Sequence, residues 1–322
     1  MKLGVFNPLF QNMELLEMLD YVKASGLDAV EVGTGGYPGK AHCDVDKLLG
    51  SERARSEYLS EFEKRGLSIS GFSCHGNPIS PDDAFRKESD EALRKTIELA
   101  AMMGVPVVNA FSGTPAGNET DTSVNWPVTP WPEEYSEIKE WQWENRLVPY
   151  WKEIGELAEA HDVKIGLELH GGFLVHSPHT MLELRRRTNT YIGANLDPSH
   201  MWWQGIDPVA AIKILGREGA IHHFHAKDTY IDRENLNMHG YLDMNPYGKI
   251  KDRSWTFRSV GLGHSMDEWA DMMSALRTYG YDHVVSIEHE DGLMSIEEGF
   301  QTAVRNLQSV IIKEEPADMW WA

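Results

Sequence analysis

Short apolar and β-branched runs recur along the chain: KLGVFN (2–7), DAVEVG (28–33), LSISGFSCHG (67–76), VPVVNAFSG (105–113), VKIGLELHGG (163–172), YIGANLDPSH (191–200), AIHHFHAKD (220–228) and HVVSIEHED (283–291). Between them the hydrophobic period lengthens to that of a helix. In SDEALRKTIELAAMMG (89–104), Leu93, Ile97, Ala100 and Ala101 share one face, and Gly104 stands where a C-cap belongs. RLVPYWKEIGELAEAHD (146–162) reads as a second helix, ending just before the fifth strand. Eight strands alternating with helices predict a (β/α)8 TIM barrel occupying 1–322 as a single domain. A doubly wound open sheet competes poorly. No G-x-G-x-x-G follows the first strand, and polar residues stand at the ends of many strands rather than beside one crevice.

Two connections are too long for simple βα loops. Residues 114–146 follow the fourth strand and carry Trp126, Trp131, Trp141 and Trp143 among several prolines; residues 229–263 follow the seventh. Both are expected at the C-terminal face, where barrel enzymes build their sites, as lids, subunit contacts or small aromatic cores of their own. The tail 314–322 ends in Met-Trp-Trp-Ala, which is expected to dock on a neighbouring subunit or fold back on the barrel.

Charge narrows the partners. Asp and Glu number 50 against 30 Lys and Arg, a formal net charge of −20, which repels phosphate backbones and anionic lipid. Nucleic acid and membrane are therefore not expected as partners. With two cysteines, no signal-peptide pattern and no long apolar span, the expected location is cytoplasmic.

The chemistry gathers at the ends of the last four strands. The fifth offers Glu168 and His170, the sixth Asp197 and His200, the seventh His225, Lys227 and Asp228, and the eighth Glu288 followed by His289, Glu290 and Asp291. Alternation puts Glu168 and His170 on one side of their strand. Carboxylates converging in a partly dry pocket repel one another unless a cation sits among them. Glu168, Asp197 and Glu288 with His225 form an oxygen-rich set with one imidazole. Such a set suits one divalent ion, Mn2+ first, with Mg2+, Co2+ or Zn2+ also admissible. Three carboxylates against a 2+ charge leave one surplus negative charge, so a glutamate can stay basic enough to take a proton. A lone Glu or His at a strand end is ordinarily a salt-bridge or loop partner; four on successive strands argue for a site. His75 and Asn109, at the ends of the third and fourth strands, point toward the same face, and Arg258 in FRSVGLGH is placed to reach a substrate oxygen.

GLELHGG, NLDPSH, HFHAKD and SIEHED together resemble the signature segments of the xylose-isomerase-like barrel superfamily, over nearly the whole chain. The resemblance implies metal ligation by Glu168, Asp197, His225 and Glu288. It implies that the two glutamates are an acid/base pair on opposite faces of a sugar, assisted by His170, and that His200 and Lys227 contact substrate oxygens. The implied activity is sugar isomerisation or epimerisation by proton abstraction next to a carbonyl, through an enediolate. The Trp-rich loop keeps open a lyase acting on a 3-oxo-glycoside, similar to C-glycoside deglycosidases with their small partner subunit, or a sugar or inosose dehydratase. The expected partners are a small sugar or glycoside and further subunits, as a homo-oligomer or with that small subunit. A repair endonuclease on the same scaffold would need extra metal-binding histidines, yet Asn109 and Thr229-Tyr230-Ile231 stand where they would help. A barrel that binds sugar without catalysis would be expected to have lost a ligand, and all four are present.

Overall fold

A computed structural model describes residues 1–322. Its parallel strands are β1 (Lys2–Phe6), β2 (Ala29–Gly33), β3 (Ser68–Ser73), β4 (Val107–Ala110), β5 (Lys164–Glu168), β6 (Ile192–Leu196) and β7 (Ile221–Ala226). After them come β8 (Asp228–Ile231) and β9 (Trp255–Arg258), and finally β10 (Val284–Ile287). β1 through β7 and β10 close into a barrel in the order β1-β10-β7-β6-β5-β4-β3-β2, and every predicted strand falls within it. The helices between them bury one face against the barrel, and one continuous apolar core joins the two layers.

Local chemistry explains the helix ends. The helix Asp83–Met103 starts where Asp82 accepts from the Ala84 and Phe85 amides, and stops at Gly104, whose φ of +66° suits glycine. Leu93, Ile97 and Ala100 are buried as expected, with Thr96, Leu99 and Met103 completing the face. The expected helix 146–162 is Val148–Ala160, entered through a wide π-helical turn at Trp143–Leu147.

The two long connections follow β4 and β7. Residues 114–146 fold into the helix Glu133–Gln142 and the π turn, burying Trp143 while Trp131 stays bare. Residues 228–258 contain an antiparallel ribbon, β8 on β9, pairing Asp228 with Arg258 and Ile231 with Trp255. Between these excursions lies a cleft of about 720 Å³ walled by Trp126, Tyr135, Trp143, Trp203 and Tyr241. Arg277 holds Glu314 and Glu315 at the start of the tail, whereas Trp320 and Trp321 at its end are 87% and 68% exposed and touch each other.

The barrel interior departs from the usual layers of Val, Ile and Leu. Glu31, Ser73, Asn109, Asn195, His223, His225 and Ser286 are all buried there. A side chain at Gly166 would put its Cβ 2.4 Å from Asn109 Oδ1, so the glycine makes room for this polar layer. No helix is long and apolar enough to cross a membrane.

Candidate metal centre

β5 ends on Glu168, and the chain turns at once, the His170 amide donating to the Glu168 carbonyl at 2.9 Å. β6 ends one residue before Asp197, which caps the short helix Pro198–Trp203: its Oδ1 accepts from the Ser199 amide at 2.8 Å. Pro198 occupies the first turn, where a missing N–H costs nothing. Capping uses one Asp197 oxygen and leaves Oδ2 facing the barrel mouth, buried and without a hydrogen-bond partner. β7 carries His225, and Glu288 follows the last residue of β10.

Glu168, Asp197, His225 and Glu288 each present one ligand atom, all within 4.8 Å of one another. His225 Nδ1 stands between the glutamates, 3.1 Å from Glu288 Oε2 and 3.5 Å from Glu168 Oε2. Around them His75 Nε2 lies 3.0 Å from Glu168 Oε2, and His200 Nε2 lies 3.0 Å from Glu168 Oε1 and 3.4 Å from Asp197 Oδ2. Yet His75 Nε2, His200 Nε2 and His225 Nδ1 are buried and unsatisfied, because these approaches are out of line for hydrogen bonds, and Asp197 Oδ2 has no hydrogen bond either, only the Lys227 ammonium 3.2 Å away. Orphaned donors and acceptors this deep cost about 1–3 kcal/mol each and call for an occupant. Three carboxylate oxygens and an imidazole nitrogen converging on one point fit a divalent cation.

The other site residues separate into groups. Lys227 is fully enclosed, its Nζ 2.9 Å from Glu288, 2.9 Å from Glu290 and 3.2 Å from Asp197. Its aliphatic stem ends over the Phe257 ring of β9, with Nζ 4.6 Å from the centroid. Three carboxylates hold its pKa well above the usual lysine range despite burial, so it is an ammonium. His170 lines the pocket, with its ring centroid 4.0 Å from that of His200, and its Nδ1 donates to the Gly171 carbonyl. Asn109 does not reach the pocket: it sits inside the barrel and donates to Glu31 at 2.8 Å. Arg258 also turns away, pairing with Asp291 at 3.0 Å. Asp228 is fully buried, accepting from the Gly261, Gly263 and His264 amides, so it closes the loop after β9.

Electrostatics follow from burial and neighbours. Burial would raise the Glu168 carboxyl, but His200, His75 and His225 beside it pull it well below the usual range. Burial likewise opposes Glu288, which Lys227 and His225 bring down to about 2. Asp197 goes the other way, pushed up to about 7 by burial and by the Glu288 and Glu168 charges, despite Lys227. Burial, with the nearby His170 and Lys227, drops His200 to about 3, so its ring is neutral. The Trp203 indole N–H, which can only donate, sits 3.1 Å from His200 Nδ1. The single ring proton of His200 is therefore on Nε2, aimed into the pocket. Trp203 reaches this position because Gly171 has no Cβ; one built there would lie 2.1 Å from the indole.

One residue of this centre has no counterpart in the reading of the strand ends. Glu31, in the middle of β2, is completely buried, and its carboxylate meets His225 Nε2 at 2.9 Å. The pocket above the centre measures about 220 Å³ and is walled by Phe6, Leu9, Tyr37 and Phe111 among others.

Comparison with known proteins agrees with this architecture. Residues 19–310 match the family described as xylose isomerase-like TIM barrel. The chain is 36% identical over 314 residues to the protein named "Uncharacterized protein YfiH" of Bacillus subtilis (strain 168), covering 97% of this chain and 99% of that one. Among solved structures, the IOLI protein with a bound zinc atom is 19% identical, with a TM-score of 0.65 over 97% of this chain and 98% of its own. A D-tagatose 3-epimerase-like protein is 22% identical, with a TM-score of 0.63 over 96% and 98%.

Proposed function

The chain belongs to the xylose isomerase-like TIM-barrel family, and on that premise we propose that it is a divalent-metal-dependent isomerase or epimerase of keto-sugars. The observation that carries this reading is the convergence of Glu168, Asp197, His225 and Glu288 around one point, with buried atoms left unsatisfied there. The zinc atom of the IOLI protein and the epimerase likeness of the second structure support it.

A cation held by these four residues would polarise a sugar carbonyl and its neighbouring hydroxyl, acidifying the C–H of the carbon that bears that hydroxyl. Glu168 and Glu288 stand on either side of His225 and are the two groups placed to take and return that proton. Lys227 keeps Glu288 ionised, opposes protonation of Asp197 and offsets the surplus negative charge of the set. His200 Nε2–H donates to the oxygen that gains charge as the proton leaves, and the neutral ring cannot itself compete for it. Phe6, Leu9 and Phe111 shield the carbon from water, while the pocket volume of about 220 Å³ suits one small ring rather than a polymer. Manganese is the expected metal from the oxygen-rich set, with zinc, magnesium and cobalt as alternatives.

The cleft of about 720 Å³ supports a second reading, a lyase on an oxidised glycoside whose aglycone lies against Trp126 and Tyr241. Both readings begin with the same proton abstraction. The purified chain loaded with Mn2+ or Zn2+ should exchange the hydrogen beside the carbonyl of a ketose or 3-oxo-glycoside for deuterium. Glu288→Gln should slow this about 10²–10⁴-fold. Epimerised ketose supports the first reading and released aglycone the second; no exchange on either class refutes both.

A further inference from the structure

We propose that Glu31 is a positioning residue of the metal centre: it fixes His225 with its proton on Nε2, so that Nδ1 is the nitrogen offered to the cation. The inference rests on the metal-centre reading above and adds to it a residue that touches neither metal nor substrate.

The geometry is specific. Glu31 is at 0% exposure in the barrel interior, and four donors from four other strands converge on its carboxylate. Ser73 of β3 donates to it, as do Asn109 of β4 at 2.8 Å and Ser286 of β10 at 2.6 Å. His225 of β7 completes the set, with Nε2 at 2.9 Å from one oxygen and 3.0 Å from the other. A carboxylate serving only to fill space would be replaced by an apolar residue at little cost to stability. This one is supplied with enough donors to keep a full charge in a dry interior. The charge sits behind the single imidazole whose opposite nitrogen faces Glu168 and Glu288. Phe6 stacks on the His225 ring at 5.4 Å and 26°, which resists rotation out of that plane. A carboxylate behind a ligating imidazole holds the ring's tautomer and makes the free nitrogen a stronger donor to the metal.

A competing arrangement is also present. Glu31, His223 and His225 by themselves bring three ligand atoms within 4.8 Å of one another, on the inner side of the ring. A cation there would use Nε2 of His225 and would exclude the proposed role. The two arrangements assign opposite ring nitrogens to the metal.

The test uses the full chain, 15N-labelled at histidine and loaded with Zn2+. Long-range 1H–15N spectra should show His225 protonated at Nε2 with zinc on Nδ1; zinc on Nε2 overturns the proposal without needing any variant. In parallel, Glu31→Gln should weaken Zn2+ binding about 10–100-fold in a chelator competition. A Glu31→Gln protein that melts earlier but binds zinc like the wild type would make Glu31 a structural residue only, and would also overturn the proposal. Asp197→Asn separates the two levels. If the wild type binds no zinc, or Asp197→Asn binds as tightly, the metal-centre reading itself falls. If Asp197→Asn weakens binding and Glu31→Gln does not, only the role of Glu31 falls.

Discussion

Replacing Lys227 by methionine keeps the volume of the side chain and removes its charge. The ammonium is buried and touches Asp197, Glu288 and Glu290, of which Glu290 is 49% exposed and contributes little. Asp197 is enclosed and Glu288 nearly so, with no other lysine or arginine against either, so the change leaves Asp197 uncompensated and Glu288 with His225 alone. Breaking a buried pair in this way costs about 3–5 kcal/mol. For 322 residues, an unfolding entropy of about 2.1 cal/mol/K per residue gives roughly 0.7 kcal/mol/K. The metal-free Lys227→Met protein should therefore melt about 4–7 °C below the wild type. A divalent ion supplies the missing positive charge, so saturating Mn2+ should raise Tm more in the variant than in the wild type. Calorimetry of both proteins with chelator and with metal reads all four values. A metal-free loss below about 1 °C, or an equal metal increment in the two proteins, would show that Lys227 does not counterbalance the ligand carboxylates.

Acid should destabilise the metal-free protein well before Glu168 and Glu288 titrate. His200, His222 and His223 are held neutral, each brought down to about 3 chiefly by burial. Below about pH 6.5 the unfolded chain binds protons that these folded rings refuse, so stability falls as pH falls. Asp197, raised to about 7 chiefly by burial, takes up one proton in the folded state and opposes this. For these four groups three protons against one leaves two, or about 2.7 kcal/mol per pH unit between pH 6 and 5, and His170, His176, His283 and His289, also lowered by burial, act in the same direction; an unchanged urea midpoint over that interval contradicts the assignment. Gly166→Ala should cost about 1–3 kcal/mol in urea unfolding, because its Cβ meets Asn109 Oδ1 at 2.4 Å inside a closed barrel. Trp203→Phe removes the indole donor that pins the His200 tautomer. It should slow proton exchange by up to about 10²–10³-fold, the worth of one oriented donor at a developing oxyanion. Retention of full exchange would free His200 of that role.

The strands and their order are legible because each run is short, β-branched and closed by a polar end. The same ends place Glu168, Asp197, His225 and Glu288 together once the barrel closes, since parallel strands deliver their C-termini to one rim. The ribbon of β8 and β9 hides inside what reads as a loop. Thr229-Tyr230-Ile231 and Trp255-Thr256-Phe257 each have strand character, but their pairing joins residues too far apart in the chain for a local pattern to show. That pairing decides Arg258, which the ribbon directs to Asp291 rather than to the pocket. Asn109, expected at the pocket face, lies inside the barrel instead, in the space left by Gly166 of the neighbouring strand, and donates to Glu31.

Glu31 shows where periodicity stops being informative. Within DAVEVG it looks like the polar member of an alternating strand, a residue facing water. A parallel barrel has no such face: helices cover the outside and the interior is closed. An acid in the middle of one of its strands must therefore be paired, and the inward alternative requires a partner from across the barrel. HFHA on β7 supplies one, because His223 and His225 share the inward side of their strand. Barrel closure and the presence of Glu31 together thus imply a buried acid–imidazole contact that neither segment announces alone. The contact found is the one between Glu31 and His225, at 2.9 Å. It ties the polar interior to the metal centre, so the unusual inner layer and the ligand set at the rim are two ends of one network.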